Sequence, residues 1–293
     1  MKTVAAQHYQ DRMRRVLDHI ESNLDRDLDL AALSDVAAFS KHHFQRQFTS
    51  YFGLTPHRYV QLARLKRASH QLAYRDADSI LNLALDSGYE SGESFARVFK
   101  ERFGQTPGEF RDRPDWAPWT AAYAPLHQAR SILMTDFSSA DVRIVDFPAT
   151  PVALIEHTGD PAMIGESIRR FIGWRKEAGL PPRTSATFNI LHNDPETTPA
   201  DEYRIDICAA TSRPIADNDA GVIEGLIPEG RCAVIRIKGS SDNLRPVVTY
   251  LYRDWLPDSG EELRDFPMFA QRVSFFPDVA ENEAITDIFL PLK

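Results

Sequence analysis

The sequence predicts a multi-domain chain, with an all-α N-terminal half and an α+β C-terminal half. Two internal repeats support this division. Residues 40–56 return as 91–107, with eight identities at a fixed offset of 51 residues. Beyond residue 140 short strands alternate with helices, and Gly159 and Gly239 end similar strands 80 residues apart. A length of 293 residues is enough for two domains with separate cores.

Each copy of the first repeat predicts one helix with an aromatic stripe. Phenylalanine recurs at i, i+4 and i+8, which places the three rings on one helical face. The stripes are Phe44, Phe48 and Phe52 in the first copy and Phe95, Phe99 and Phe103 in the second. A following glycine suits the left-handed end of a helix, and the next helix begins at Thr-Pro. Arg46 and Arg97 lie about 200° from the first ring of their stripe, so we expect both to be exposed.

A short helix and a tight turn precede each striped helix, so each copy predicts a helix-turn-helix unit. One long helix joins the two units. The predicted helices span 9–24, 28–38, 41–52, 56–75, 80–87 and 92–103.

The charge is distributed unevenly along the chain. The net charge is −8, but residues 1–113 contain 17 Lys and Arg against 15 Asp and Glu, a net of +2. Residues 114–293 contain 17 against 27, a net of −10. An acidic second half repels DNA phosphates, whereas an almost neutral first half binds them through a local basic face.

Several protein classes are excluded by composition. No apolar run approaches the roughly 20 residues that span a bilayer, and the first residues lack the apolar segment of a signal peptide. Cys208 and Cys232 do not have metal-ligand spacing. We therefore predict a cytoplasmic protein without membrane association, metal or cofactor.

The second helical unit resembles a known family. Residues Ile80 to Pro107 follow the pattern I-x-x-x-A-x-x-S-G-Y-E-S-x-x-S-F-x-R-x-F-K-x-x-F-G-x-T-P. With the first unit, residues 8–112 look like the DNA-binding domain of AraC/XylS-type transcription regulators. The resemblance implies double-stranded promoter DNA and RNA polymerase as partners. Ala38 stands where the family usually has glycine, and Ser34 where alanine is usual, so the first unit is expected to be less rigid.

The resemblance also implies which side chains contact DNA. The candidates are Lys41, His42, Gln45 and Arg46 in the first unit and Glu93, Arg97 and Lys100 in the second. Gln45 and Arg46 are of types that recognise base edges, whereas Lys41 suits a phosphate. The second helix presents Gly92 and Ala96 at matching positions, so it is expected to contribute backbone contacts and shape recognition. The alternative for either face is a solvated polar surface.

Residues 113–139 are predicted to be a semi-rigid linker. The segment contains Pro114, Pro118 and Pro125 and has neither a helical nor a strand period. Trp116 and Trp119 are unusual for a free linker and are expected to dock on one of the domains.

Residues 140–293 predict a duplicated strand-helix-strand-strand arrangement. The two copies would form one antiparallel sheet with helices on one face and a concave surface on the other. This half resembles the GyrI-like small-molecule-binding domain. The resemblance rests on Gly159 and Gly239, on Trp255-Leu-Pro, and on the final segment from Phe275 to Leu292. It implies a small-molecule effector.

A ligand pocket is expected around Asp287, which alternation places on one strand face with Ile285 and Phe289. An acid on an apolar face attracts a cationic or hydrogen-bonding aromatic ligand. The proposed walls are Trp174, Tyr203, Trp255 and Phe269. The alternative is a surface-facing Asp287, and Arg204, Asp206 and Arg236 are expected to be solvated.

The sequence thus favours a DNA-binding regulator that responds to a small molecule and is not an enzyme. Two alternatives for the C-terminal domain stay open, a small-molecule hydrolase and a protein-interaction module.

Overall fold

A computed structural model describes residues 4–75, 79–133, 137–240 and 244–293. The chain divides into two compact units, residues 1–135 with 276–283, and residues 136–275 with 284–293. Within the described ranges no helix is long and apolar enough to cross a membrane.

The first unit is helical. Its elements are α1 (Val4–Ser22), α2 (Leu30–Ala37), α3 (Lys41–Phe52), α4 (Pro56–Tyr74), α5 (Ile80–Asp86), α6 (Gly92–Phe103), α7 (Pro107–Asp112) and α8 (Trp116–Ile132). The predicted ends of α3 and α6 are confirmed. Gly53 and Gly104 close these helices in the left-handed conformation, each with φ of 74°. The Thr55 and Thr106 hydroxyls then accept from backbone amides of α4 and α7.

The aromatic stripes of α3 and α6 form the centres of two similar cores. All six rings are buried. Phe48 meets Tyr59 of α4 edge to face at 6.0 Å, and Phe99 meets Phe110 of α7 at 5.4 Å. Both helices are therefore fixed by their aromatic faces and leave the opposite face available.

The segment predicted to be a linker contains α8, so the expectation of no regular structure is wrong for residues 116–132. Residues 134–136 of the predicted linker lie outside the described residues. Trp116, predicted to dock, is 1% exposed and stacks on Tyr74 at 5.7 Å. The Trp119 indole N–H donates to Ser69 Oγ over 2.8 Å. These contacts with α4 stabilise a helix that local composition does not favour, and Pro125 is accommodated inside it.

The far end of α8 is held by ion pairs. Arg130 bonds Asp18 at 2.9 Å and the buried Glu21 at 2.6 Å, and the Tyr59 hydroxyl donates to Glu21 over 2.7 Å. Burial raises the pKa of Glu21, although the nearby Arg130 charge opposes that shift. Residues 276–283 join this unit through an ion pair of 2.7 Å between Lys66 Nζ and Glu281 Oε1.

The second unit is built on a sheet of eight described strands. They are β1 (Val142–Phe147), β2 (Thr150–Thr158), β3 (Thr187–Leu191), β4 (Arg204–Ala210), β5 (Ile223–Ile227), β6 (Gly230–Lys238), β7 (Met268–Ser274) and β8 (Ile285–Pro291). Helix α9 (Ile164–Glu177) follows β2. A helical run follows β6, formed by α10 (Arg245–Thr249), a π-helical turn (Tyr250–Trp255) and α11 (Leu256–Ser259).

The strand order, β1-β6-β8-β7-β3-β4-β2-β5, reflects the predicted duplication. All the pairs are antiparallel, and the order is symmetric about the β7–β3 pair. Each repeat has one strand more than the predicted strand-helix-strand-strand arrangement. The first strands of the repeats, β1 and β5, each pair with a strand of the other repeat. Sequence analysis did not identify β5, which contains Gly225, or β7, which lacks regular alternation.

The two faces of the sheet differ as predicted. On one face α9 covers Ile155 and Ile207, and the helical run covers Ile235 and Ile288. The other face bears no helix from the described residues of the second unit, and it carries a phenylalanine cluster, defined as Phe147, Phe188, Phe266, Phe269 and Phe289.

The sheet curls around the phenylalanine cluster. Phe147 on β1 and Phe188 on β3 are separated by three strands, yet their ring centroids lie 6.0 Å apart. A flat sheet with strands about 4.8 Å apart would separate them by roughly 19 Å. We call this curled, helix-free surface the concave face.

Candidate nucleic-acid interface and ligand-binding face

Helix α3 exposes the predicted polar side chains on the side away from its aromatic stripe. Lys41, His42, Gln45 and Arg46 are all exposed. His42, Gln45 and Arg46 line a shallow depression that continues over Thr49 to the start of α4. A guanidinium and a carboxamide one residue apart can each make two hydrogen bonds to a base edge.

Helix α6 presents a poorer surface. Glu93, Arg97 and Lys100 are exposed, but the intervening Gly92 and Ala96 offer no polar side chain. Bonds from its own backbone N–H and from Ser91 hold the pKa of Glu93 below its ordinary value. This carboxylate is therefore charged at neutral pH and repels phosphate.

The turns of the two helix-turn-helix units also differ. Ala38 has φ of 53° and ψ of 48°, so the left-handed alanine predicted for the first turn is confirmed. Gly88 occupies the second turn with φ of 79°. Alanine pays a steric cost in this region that glycine avoids.

Asp287 lies on the concave face, in the same strand and on the same side as Phe289, and is 6% exposed. Both of its oxygens accept from Arg236, whose Nε and Nη2 lie 2.7 Å away. The bond to Asp287 raises the pKa of Arg236, whose side chain is 53% exposed. The negative charge of Asp287, which was predicted to attract a cationic ligand, is thus already balanced by Arg236.

The residues predicted to line one pocket lie on both faces of the sheet, so the expectation that they form a single site is wrong. Phe269 is fully buried in the phenylalanine cluster beneath the concave face. Trp174 stacks on Phe171 of α9, and Trp255 packs into the core under the helical run. Tyr203 contacts the buried His157 at 6.3 Å, on the side of β2 that faces α9. The separation arises because Trp174 and Trp255 belong to the helices that cover the face opposite Phe269.

Sequence reasoning missed Asp206, which was expected to be solvated and is 2% exposed. Arg204 Nε and Nη2 donate to it over 2.9 and 3.0 Å, and His192 Nε2 lies 2.8 Å away. Burial alone would raise the pKa of Asp206, but the bonds from His192 and Arg204 hold it below its ordinary value. An offset of 81 residues relates Asp206 on β4 to Asp287 on β8, and this duplication could have identified it.

Comparison with known families gives two matches. Residues 140–293 match the GyrI-like small molecule binding domain, and residues 33–113 match a helix-turn-helix domain. The chain belongs to the GyrI-like family. Its N-terminal half carries a DNA-binding domain of the AraC type, so both sequence resemblances are confirmed.

This GyrI-like chain is also similar to several known proteins. The probable transcriptional regulator YgiV of Escherichia coli K12 is 41% identical over 153 residues, which cover 52% of this chain and 96% of YgiV. The uncharacterized HTH-type transcriptional regulator SACOL0084 of Staphylococcus aureus is 37% identical over 105 residues, 36% of this chain and 14% of that protein. The EcmrR C-terminal domain crystal structure has 19% identity and a TM-score of 0.42, covering 52% of this chain and 96% of that chain.

This GyrI-like chain is accordingly a DNA-binding transcription regulator that is modulated by a small molecule bound in its C-terminal domain. Within the described residues, no group of three or more His, Cys, Asp or Glu side chains could hold a metal ion. A cavity of about 350 Å³ opens beside α9. At its base His157 Nδ1 forms a hydrogen bond with Ser167 Oγ at 3.0 Å, and His157 Nε2 forms one with the Asp160 carbonyl at 3.1 Å. Both ring nitrogens are therefore occupied by hydrogen bonds within the domain.

Proposed function

We propose that this regulator recognises promoter sequence chiefly through α3, and that α6 mainly positions the duplex. The observation that carries this proposal is the contrast between two equivalent faces. The α3 face offers Gln45 and Arg46, whereas the α6 face offers Ala96 and Arg97 at the same positions. Without a neighbouring carboxamide, α6 can recognise fewer base edges than α3, so more of its contacts fall on the phosphate backbone.

The test compares Arg46→Ala with Arg97→Ala, using a duplex selected by the full chain from a random library. Arg46→Ala should cost about 1–3 kcal/mol on that duplex and relax the preference at one or two bases. Arg97→Ala should weaken binding similarly on all sequences and reduce the salt slope by about one. Equal relaxation of base preference by both variants would contradict the division of roles.

We also propose that the effector binds on the concave face beside Asp287, where a charged side-chain pair adjoins the buried phenylalanine cluster. Asp287 is a buried acid of this face, and its Arg236 partner is half exposed. Polar groups fixed next to apolar surface are the usual composition of a small-molecule site.

Three matched probes test this placement: 4-phenylbutyrate, its neutral amide, and a 4-phenylbutyl trimethylammonium ion. A probe that binds the folded chain should raise its Tm, because ligand binding stabilises the folded state. The shift should change in Asp287→Asn and persist in Trp174→Phe, on the helix-covered face. If every shift is indifferent to Asp287→Asn, the effector does not bind beside Asp287.

We propose that the domain binds its ligand without converting it. Both oxygens of Asp287 are engaged by Arg236, so the carboxylate is not positioned as a general base. Chromatography of each probe after incubation with the chain should recover it unchanged. Product formed by the chain and absent with Asp287→Asn would favour the hydrolase alternative.

A second candidate for this face is a protein-interaction surface, favoured because Phe269 and Phe289 fill the curl with 0% and 6% exposure. RNA polymerase is the partner that a DNA-bound regulator implies. Binding of purified polymerase, lost with Asp287→Asn while all three probes give no shift, would favour this candidate.

A further inference from the structure

One end of the concave face carries three cationic side chains on neighbouring strands. Arg236 and Lys238 lie two residues apart on β6, and Arg143 on β1 pairs in register with Val234. Arg143 is therefore a diagonal neighbour of Arg236, at roughly 7–8 Å between α-carbons. The three share the strand parity of Val145 and Val234, which pack with the phenylalanine cluster, so they lie on the concave face. We call them the cationic cluster.

The cluster has an excess of positive charge. Asp287 is the acid paired with it, and it neutralises Arg236. Asp141 precedes β1, and its carboxylate accepts from the Ser138 backbone N–H and hydroxyl, 2.8 Å away. These bonds hold the pKa of Asp141 below its ordinary value, so it counts as a second negative charge near the cluster. Arg143 and Lys238 are exposed. After Asp287 and Asp141 are counted, one surplus positive charge stays on this face, within a half of the chain whose net charge is −10.

Duplication does not explain this arrangement. At the opposite end of the face, an offset of 80 residues replaces Arg143 with Ile223, Arg236 with Glu156 and Lys238 with Thr158. That end is not cationic, because Arg204 there is balanced by Glu156 at 2.6 Å and by Asp206. The cationic cluster is therefore particular to one repeat, as expected of a specificity feature rather than of the fold.

The chemistry of the cluster suits an anion. Asp287 holds Nε and Nη2 of Arg236, which fixes the plane of a guanidinium whose side chain is half exposed. A fixed guanidinium flanked by two flexible cations recognises carboxylate and phosphate groups well. We propose that the cationic cluster binds the carboxylate or phosphate group of the effector. This inference rests on the proposed effector site and reverses the ligand charge expected from Asp287 alone.

The test uses the full chain with the three phenylbutyl probes and with inorganic phosphate. Calorimetry should give the carboxylate the lowest Kd of the phenylbutyl probes. The Arg143→Gln/Lys238→Gln double variant should weaken the carboxylate roughly tenfold or more, since hydrogen bonds to charged groups are lost, and leave the amide unchanged. Binding of phosphate alone would indicate that the anion itself suffices, whereas dependence on the phenylbutyl group would indicate a carboxylate on an apolar body.

Arg236→Gln is the more direct change, but it leaves the buried Asp287 without its partner and risks unfolding. The double variant avoids this risk because both side chains are exposed. Arg204→Gln is the matched control, since Arg204 also binds a buried aspartate bidentately on the same face, and that aspartate, Asp206, keeps its bond to His192. It should not change the carboxylate Kd.

Three results would overturn the inference. Preference for the trimethylammonium probe would show that the acid dominates, with the effector site itself intact. Equal weakening by Arg204→Gln would show a non-specific effect of net charge. Failure of phosphate and of every phenylbutyl probe to bind would reject the cluster together with the proposed effector site.

Discussion

The two helix-turn-helix units contain the same aromatic stripe but are contacted by different helices. The first unit consists of α2 and α3, and the second of α5 and α6. In the first unit α1 provides Tyr9, whose ring meets Phe39 at 6.2 Å and Tyr51 at 5.3 Å. In the second unit α8 provides Tyr123, which meets Phe103 at 5.7 Å. A repeated core motif therefore does not imply repeated surroundings, and each unit depends on a different terminal helix.

The exposed faces of the two units have diverged further than their cores. All three phenylalanines are retained in both copies, but Gln45 corresponds to Ala96 and His42 to Glu93. Packing constrains the buried face, because a change of one methylene in a close-packed core is felt. The exposed face is free to change, so one unit can keep base-recognising side chains while the other loses them.

The largest expected effect comes from substitutions that weaken the contacts of α8 or of α1 separately. Trp116→Ala removes a fully buried indole and should cost about 3–5 kcal/mol of unfolding free energy. Trp116 contacts Phe110 of α7, and Phe110 in turn contacts Phe99 of α6. In hydrogen exchange, amides of α6 and α7 should therefore lose protection before those of α3. The control is Tyr9→Ala on α1, which should act first on α2 and α3. Identical exchange patterns in the two variants would mean that the units unfold as one.

The two turns should respond oppositely to substitution: Ala38→Gly should raise the free energy of unfolding, and Gly88→Ala should lower it. Ala38→Gly relieves a left-handed alanine and should stabilise the chain by up to about 1 kcal/mol. Gly88→Ala should destabilise it by roughly 1–2 kcal/mol, because it introduces the same strain. A β-carbon there would also lie 2.5 Å from Arg64 Nη1, whose guanidinium is held by the Leu24 carbonyl. Urea unfolding of both variants measures the difference, and equal signs would contradict it.

The smallest expected effect concerns the acid on α6. Glu93→Gln should raise DNA affinity a few-fold at low salt, because a charge that repels phosphate is removed. His42→Gln, at the equivalent position of α3, should not raise affinity. An unchanged Kd for Glu93→Gln would place this side chain away from the duplex.

The same variant gives a pH test. The pKa of Glu93 is held below its ordinary value, so the carboxylate stays charged as the pH falls from 7 to 5. The affinity gap between Glu93→Gln and the unchanged chain should therefore persist over that range, and close only at lower pH as Glu93 becomes protonated. A gap whose closure is centred at or above 4.5, the ordinary value for glutamate, would show that the pKa of Glu93 is not depressed.

The sequence by itself determined the features whose causes are local. Phenylalanine spacing and the Phe-Gly ends located α3 and α6, and the repeated glycines at 159 and 239 revealed the duplicated sheet. The exposure of Arg46 and the placement of Asp287 beside Phe289 followed from helical and strand periods. Regular geometry repeats along the chain, so these conclusions needed no distant contact.

Tertiary structure alone decided the features that depend on distant partners. The prolines near residue 120 argued against a helix, yet α8 forms because Trp116 and Trp119 find surfaces on α4. The Asp206 side chain is buried, and besides the nearby Arg204 it bonds His192, which lies 14 residues away in the sequence. The electrostatic character of Asp287 depends on Arg236, 51 residues away. Burial and charge pairing are set by residues that only the fold brings together, and for that reason the ligand site could not be read from spacing.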